Sequence, residues 1–232
     1  MIAVICALDK ELLALQKYLD SVKEIKLLNL TLYLGKMADK EVVLVKAGIG
    51  KAVAAATTLL VIKEYNPQMI ITTGIAGGFL KSLKPLDIVI AENAVYYDVD
   101  MTCDEGMSFR YGEIQGAPFP FNSDQRALDI LKNLDDGSFR YGTIATADIF
   151  QNKRDGLEKL QKEAFGEFSI LAVDMETAAI MHIASITNTK VIALRAISDV
   201  IGMPSQISNF YHYVDEASQR ISAIVNKLVS KI

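Results

Sequence analysis

Apolar residues along this chain arrive in two rhythms. Short continuous runs, MIAVICA (1–7), MIITT (69–73), YGTIATA (141–147) and the stretch 169–173, have the length and composition of strands buried on both faces. Between them lie segments with helical spacing. Leu8, Leu12, Leu15 and Leu19 recur at i, i+4, i+7 and i+11, and Val214, Ala217, Ile221, Ile224 and Leu228 form a second clean stripe. Further helices are predicted over 123–134 and 153–165, the latter on Leu157, Leu160 and Ala164. Residues 25–47 read as two or three strands turning near Ala38-Asp39-Lys40, and 87–100 as a long strand. The helix AVAAATTLLVIKEY is rich in small residues and apolar nearly all round, as a doubly covered or interface helix would be. Strands alternating with helices predict an α/β fold.

One segment organises the rest, Val173 to Asp199. It reads as the end of a buried strand, a helix opening with Asp174-Met175-Glu176, and a second strand ending in Arg195-Ala-Ile-Ser-Asp199. Ligands of α/β sheets sit outside the carboxyl ends of the strands, where Glu176 and Asp199 would meet. On the predicted helix Glu176 shares an apolar face with Ala179, Ile180 and Ile183, an expensive place for a carboxylate unless something binds it. On the strand, Arg195, Ile197 and Asp199 point to one side; Arg195 and Asp199 lie about 13 Å apart, too far to neutralise each other directly. Glu11 sits on the apolar stripe of the first helix, just past a strand end, and is a candidate base.

With 232 residues, 51% apolar and 22% charged, the chain can build one large core, and some apolar surface is expected to lie against another subunit. A net charge of −4 with no basic block argues against nucleic-acid or anionic-membrane partners. Two cysteines, Cys6 and Cys103, imply no disulfide framework and fit a reducing cytoplasm. Residues 1–7 lack a basic region before them, so no secretory signal is expected, and no apolar run approaches the roughly 20 residues needed to span a bilayer.

The glycine-rich pieces are suggestive only in context. Ala47-Gly48-Ile49-Gly50-Lys51 fails as a phosphate loop, since Val45 stands where glycine is required and Ala52 where Ser or Thr is. It reads as a tight turn whose backbone approaches a ligand. Gly74-Ile75-Ala76-Gly77-Gly78, after a buried strand, reads as a ligand loop. Residues 101–121 lack periodicity and carry Met107, Phe109, Tyr111 and Phe119, a long aromatic loop suited to function or an interface. VIGMPSQISNFYHY (200–213) has the composition of a lid. His182 and His212 have no metal-ligand spacing, and His182 reads as a satisfied core histidine. Nucleophile elbow and Cys/His pair are both missing. Three carboxylates at strand ends, Glu11, Glu176 and Asp199, suit acid/base cleavage through a cationic transition state.

The motifs ALDKE, AGIGKAVAAA, TTGIAGGF, DVDMT, RYGEIQG, ATADIF, VDMETAA and RAISDV run almost end to end. In that order the chain resembles bacterial 5'-methylthioadenosine/S-adenosylhomocysteine nucleosidases of the purine nucleoside phosphorylase-like superfamily. The resemblance implies one domain over residues 1–232, a three-layer α/β/α fold with a mixed central sheet, nucleoside phosphorylase/hydrolase-like. It implies hydrolysis of an adenine–ribose bond without metal or cofactor. Asp199 would protonate N7 of adenine, Glu11 would take a proton from the attacking water, and Glu176 would hold the ribose hydroxyls beside the backbone of Met175. Phe150 would stack on adenine and the backbone of Gln151 would bond the purine edge. Leu8, Ile49, Met107, Phe109 and Phe210 would surround the 5'-thioalkyl group, and Gly77, Ile75, Arg195 and Ser198 would complete the site. The Met107/Phe109 loop would reach the neighbouring site of a homodimer. The chain departs from the family pattern at Ile75, where many relatives carry serine, at Asp174, where glutamate is common, at Gln115, where proline is frequent, and in a 103–109 loop about two residues longer.

Burial is expected to keep Asp199 protonated, and Arg195 to favour the ionised form of Glu11. The rival readings are a phosphorylase using phosphate instead of water, an aminofutalosine nucleosidase, and a non-catalytic nucleoside-binding protein.

Overall fold

The computed structural model describes residues 1–102 and 109–232. The elements follow in chain order as β1 (Ile2–Cys6), α1 (Asp9–Gln16), β2 (Asp20–Leu27), β3 (Leu30–Met37), β4 (Lys40–Lys46) and α2 (Lys51–Tyr65). They continue as β5 (Met69–Gly78), β6 (Ile88–Tyr96), β7 (Phe121–Asn122), α3 (Gln125–Leu134), β8 (Phe139–Thr146) and α4 (Arg154–Glu163). The chain closes with β9 (Ile170–Asp174), α5 (Thr177–Ile186), β10 (Val191–Val200) and α6 (Gln206–Val229). Every residue of β1, β9 and β10 is buried, as their unbroken apolar runs require. The meander β2–β3–β4 turns at Ala38-Asp39, both with positive φ.

The sheet is mixed, ordered β10-β6-β8-β9-β5-β1-β4-β3-β2. Helices cover both faces, with α2 and α5 packed into one apolar cluster and α1, α3 and α6 into another. This is the three-layer arrangement expected. An additional pairing of β10 with β5 closes β5, β10, β6, β8 and β9 into a barrel-like ring. Among the described residues, no helix is long and apolar enough to cross a membrane.

Two sequence expectations change. The glycines at 74–78 do not form a loop; they continue β5, paired with β10 as far as Val200↔Gly78 and with β9 at Gly77↔Val173. Small residues there let two other backbones close in: a Cβ on Gly78 would lie 3.2 Å from Ile197 Cγ2. The expected lid is also partly regular. Gly202 and Pro204 lie before the helix, and α6 starts at Gln206, eight residues before the Val214 stripe. His182 is partnered, its Nδ1 3.3 Å from the Tyr96 hydroxyl and its ring stacked on Phe121.

Candidate active site

The carboxyl ends of β1, β5, β9 and β10 open onto one cleft. Twelve of the fifteen sequence-predicted site residues line it: Leu8, Glu11, Ile49, Ile75, Gly77, Phe150, Gln151, Met175, Glu176, Ser198, Asp199 and Phe210.

Glu11 is held by backbone alone. The third residue of α1, it reaches back so that Oε2 accepts the N–H groups of Ala7 and Leu8, each at 2.8 Å. Its Oε1 accepts the N–H of Ile75 at 2.9 Å, bringing β5 against the start of α1. The carboxylate is 2% exposed, and only glycine fits opposite it: a Cβ on Gly74, whose φ is +154°, would lie 2.4 Å from Oε1. Ile75 thus contributes its backbone as well as an apolar side chain. Burial pushes the Glu11 carboxyl up, and the Leu8 and Ile75 N–H groups oppose that more strongly than Arg195 does. Arg195 does favour the ionised form of Glu11, as expected, but backbone donors in direct contact with the carboxylate do so more strongly.

Asp199 lies near the end of β10, 3% exposed. The β10–β5 register slips between Ile197 and Asp199, which oppose Ala76 and Gly77. The irregularity breaks the expected alternation, so consecutive residues Ser198 and Asp199 both reach the cleft, whereas Ile197 joins the core. The Ser198 hydroxyl donates to Asp199 Oδ1 at 2.5 Å, and Gln206 Nε2 donates to Oδ2 at 2.8 Å. Burial raises the Asp199 pKa against these two bonds.

Glu176 is not on the helical face assigned to it. It occupies the cap position before α5, with φ −135° and ψ −35°, because β9 runs through Asp174 and leaves only Met175 as a connector. From there Oε1 accepts the N–H of Gly50 at 2.8 Å, a partner 126 residues away. Gly50 has φ +102°, so the AGIGK turn does approach the site through its backbone, and its own contact is a carboxylate. Burial, then the Asp174 charge, push Glu176 up to about 7. The native state therefore holds a proton there that the unfolded chain releases near its ordinary value of 4.5, and stability is lost as pH rises between about 4.5 and 7. The slope of Tm against pH over that window is expected to flatten in Glu176→Gln, which retains an acceptor for Gly50.

Arg195 does not line the cleft. Its Nε donates to Asp174 Oδ2 at 3.0 Å, its NH2 group to Thr72 Oγ1 and its NH1 group to the Leu194 carbonyl, each also at 3.0 Å. Asp174 accepts further bonds from the Thr146 hydroxyl at 2.6 Å and from the hydroxyl and N–H of Thr177. Both side chains of the pair are almost fully buried, 3% and 2% exposed. Arg195 is thus structural support that ties β10 to β5 and β9. Arg195→Met would strand the Asp174 charge and is expected to cost about 3–5 kcal/mol in urea unfolding.

The apolar side of the cleft is built by Leu8, Ile49, Ile75, Met175 and the edge-to-face pair Phe150–Phe210, with ring centroids 5.7 Å apart. Phe109 is half-buried and does not line this cleft, and Met107 lies outside the described residues. Gln206, Asp174 and Ile149 line the cleft without having been singled out for it. For Gln206 no sequence signal existed, since it fell in a stretch without periodicity. Asp174 carried one, a carboxylate next to Glu176 and an arginine in the next strand. No group of His, Cys, Asp and Glu among the described residues is arranged to hold a metal ion.

Comparison with known proteins gives consistent results. Residues 1–230 match the family described as the phosphorylase superfamily. The 5'-methylthioadenosine/S-adenosylhomocysteine nucleosidase of Oceanobacillus iheyensis is 33% identical over 235 aligned residues, covering 100% of this chain and 99% of the relative. The S. pneumoniae nucleosidase of the same name, bound to the transition-state inhibitor MT-ImmA, superposes with TM-score 0.91 at 31% identity, over 99% of this chain and 98% of that one. The Colwellia psychrerythraea nucleosidase in complex with adenine gives TM-score 0.90 at 28% identity, over 99% and 94%.

Proposed function

Since the chain belongs to the phosphorylase superfamily and, within it, to the 5'-methylthioadenosine/S-adenosylhomocysteine nucleosidases, we propose that it works as follows. It hydrolyses the N-glycosidic bond of 5'-methylthioadenosine and S-adenosylhomocysteine, releasing adenine and the 5-thioribose product. The observation that carries this reading is the convergence of Glu11, Glu176 and Asp199, from three distant parts of the chain, on one cleft with an aromatic, apolar side.

Adenine lies against Phe150, with its edge on the Gln151 backbone and N7 toward Asp199. Proton transfer from Asp199 to N7 lets the base leave neutral and leaves the ribose as an oxocarbenium-like species. Glu176, steadied by Gly50, holds the ribose 2'- and 3'-hydroxyls beside Met175. Glu11 accepts a proton as water adds to the sugar. Its three backbone donors keep it aimed without reorganisation during the reaction. The two acids need opposite protonation states at one pH. The asymmetry of partners supports this: three N–H donors on Glu11, against one hydroxyl and one amide on Asp199. Leu8, Ile49, Ile75 and Phe210 receive the 5'-thioalkyl group.

Two finer statements belong to the same proposal. The loop carrying Met107 and Phe109 completes the 5' end of a neighbouring site, which makes the enzyme a homodimer. It works in the cytoplasm, consistent with a buried, unpaired Cys6 thiol.

A phosphorylase would need cations for its phosphate. Among the described residues the cleft is lined by no Lys or Arg, and Arg195 is committed to Asp174. Chromatography of products from a panel of adenosine thioethers, with and without phosphate, tests the reading. Adenine should appear at equal rates in both buffers. A requirement for phosphate would reassign the reaction, and preference for aminofutalosine in the same panel would reassign the substrate.

A further inference from the structure

Gln206 is a buried, uncharged side chain that binds two parts of the adenine end of the cleft at once. At the first residue of α6 and 5% exposed, it spends every polar atom on the protein. Its Nε2 donates to Asp199 Oδ2 and to the Gln151 carbonyl, each at 2.8 Å, and its Oε1 accepts the Gly202 N–H at 3.0 Å. The Gly202 bond closes the turn 202–206 onto itself and orients the amide, so its N–H pair can only face the cleft. Phe210, one turn further along the same helix, packs edge-to-face on Phe150.

We propose that Gln206 is a positioning residue of the reaction, clamping the Asp199 carboxyl and the Gln151 peptide into one rigid unit at the purine-binding end. It acts on the substrate only through the Asp199 carboxyl and the Gln151 peptide. A carboxyl at a strand end could rotate about its last torsion; Ser198 on one oxygen and Gln206 on the other hold its plane. The same amide fixes the Gln151 peptide, so proton donor and purine-edge contact keep one spacing as α6 carries Phe210 against Phe150. This extends the proposed mechanism and rests on Asp199 being its acid.

The charged groups around Asp199 are Glu11 from α1, Glu176 before α5, and the Asp174–Arg195 pair beneath; on the α6 side Gln206 itself faces it. Both hydrogen bonds to Asp199 favour its ionised form against burial. Losing the Gln206 bond should therefore raise the pH at which Asp199 gives up its proton.

The test is kcat and KM against pH for Gln206→Met, which keeps the volume, and Gln206→Glu, which keeps an acceptor for Gly202. Loss of a hydrogen bond to a charged group predicts a kcat fall of roughly 10- to 100-fold in both, with KM changed far less. The alkaline limb of the kcat profile should move to higher pH, further in Gln206→Glu because a second carboxyl then faces Asp199. A profile superimposed on the wild type in whichever variant folds, whatever happens to Tm, would overturn the proposal and leave Gln206 as loop support. Asp199→Asn measured in parallel separates the two levels. If that variant still releases adenine normally, the assignment of the acid fails; if it does not, an unmoved limb counts against Gln206 alone.

Discussion

Asp199→Asn is expected to lower kcat for adenine release by about 10²–10⁴-fold, the usual contribution of a positioned general acid, with KM changed much less. Asparagine keeps the shape and can still accept the Ser198 hydroxyl bond at one position. What it lacks is the proton for N7, without which adenine must leave as an anion. Steady-state kinetics with 5'-methylthioadenosine, alongside binding of adenine to the variant, separates loss of proton transfer from loss of the subsite. Near-normal turnover would remove Asp199 from the chemistry.

The second large effect is expected at Glu11. Glu11→Gln should also lose on the order of 10²–10⁴ in kcat, while adenine still binds. Here the geometry adds a cost that Asp199→Asn avoids. All three neighbours of the carboxylate are N–H donors, two on Oε2 and one on Oε1. An amide must turn its NH2 group toward one of those sets, leaving buried donors facing each other. A lower Tm should therefore accompany the lost activity, and Glu11→Asp, too short to reach Ile75 and the start of α1 together, should not rescue it. Wild-type hydrolysis by Glu11→Gln would mean that water is activated elsewhere.

Together the two residues predict a bell-shaped kcat profile. Activity requires Glu11 ionised, so it falls as pH drops through the Glu11 pKa, which burial displaces upward. It also requires Asp199 protonated, so it falls as pH climbs through the Asp199 pKa, likewise raised by burial. Each single variant should abolish the limb belonging to its own residue.

The physical logic of the site is a trade between burial and local donors. Burial raises all three carboxylates of the cleft, and at Glu176 the Asp174 and Glu11 charges add to it. Their different fates depend on what touches each: backbone N–H groups on Glu11, one glycine N–H on Glu176, a hydroxyl and an amide on Asp199. Asp174, which lines the cleft, is paired with Arg195, whose own bonds join three strands without its side chain lining the cleft.

Much of this was legible in the pattern of residues. The strand–helix alternation, the buried runs over 2–6 and 69–73, and the placement of Glu11 on an apolar stripe follow from local periodicity, which neighbours along the chain determine. Glycines at 48, 50 and 74 marked close approach, because only glycine tolerates those angles and contacts. The motif order carried the family. Less legible were features needing a partner from elsewhere. Glu176 looked helical until Asp174 was found to finish β9. Arg195 looked like a cleft residue, but its bonds to Asp174 and Thr72 hold it away from the cleft. Gln206 carried no signal at all, since an amide in an aperiodic stretch has no sequence neighbour that reveals what it will bond.

Sequence by itself determined which residues are apolar, the main alternation of strands and helices, and that three acids sit near strand ends, because propensity and periodicity act over a few residues. Tertiary structure alone decided how far those acids are buried, which donors hold them, and that the arginine supports the cleft without lining it. Hydrogen bonds and charge interactions act over a few ångströms in space, and here the deciding partners lie as far as 126 residues apart along the chain.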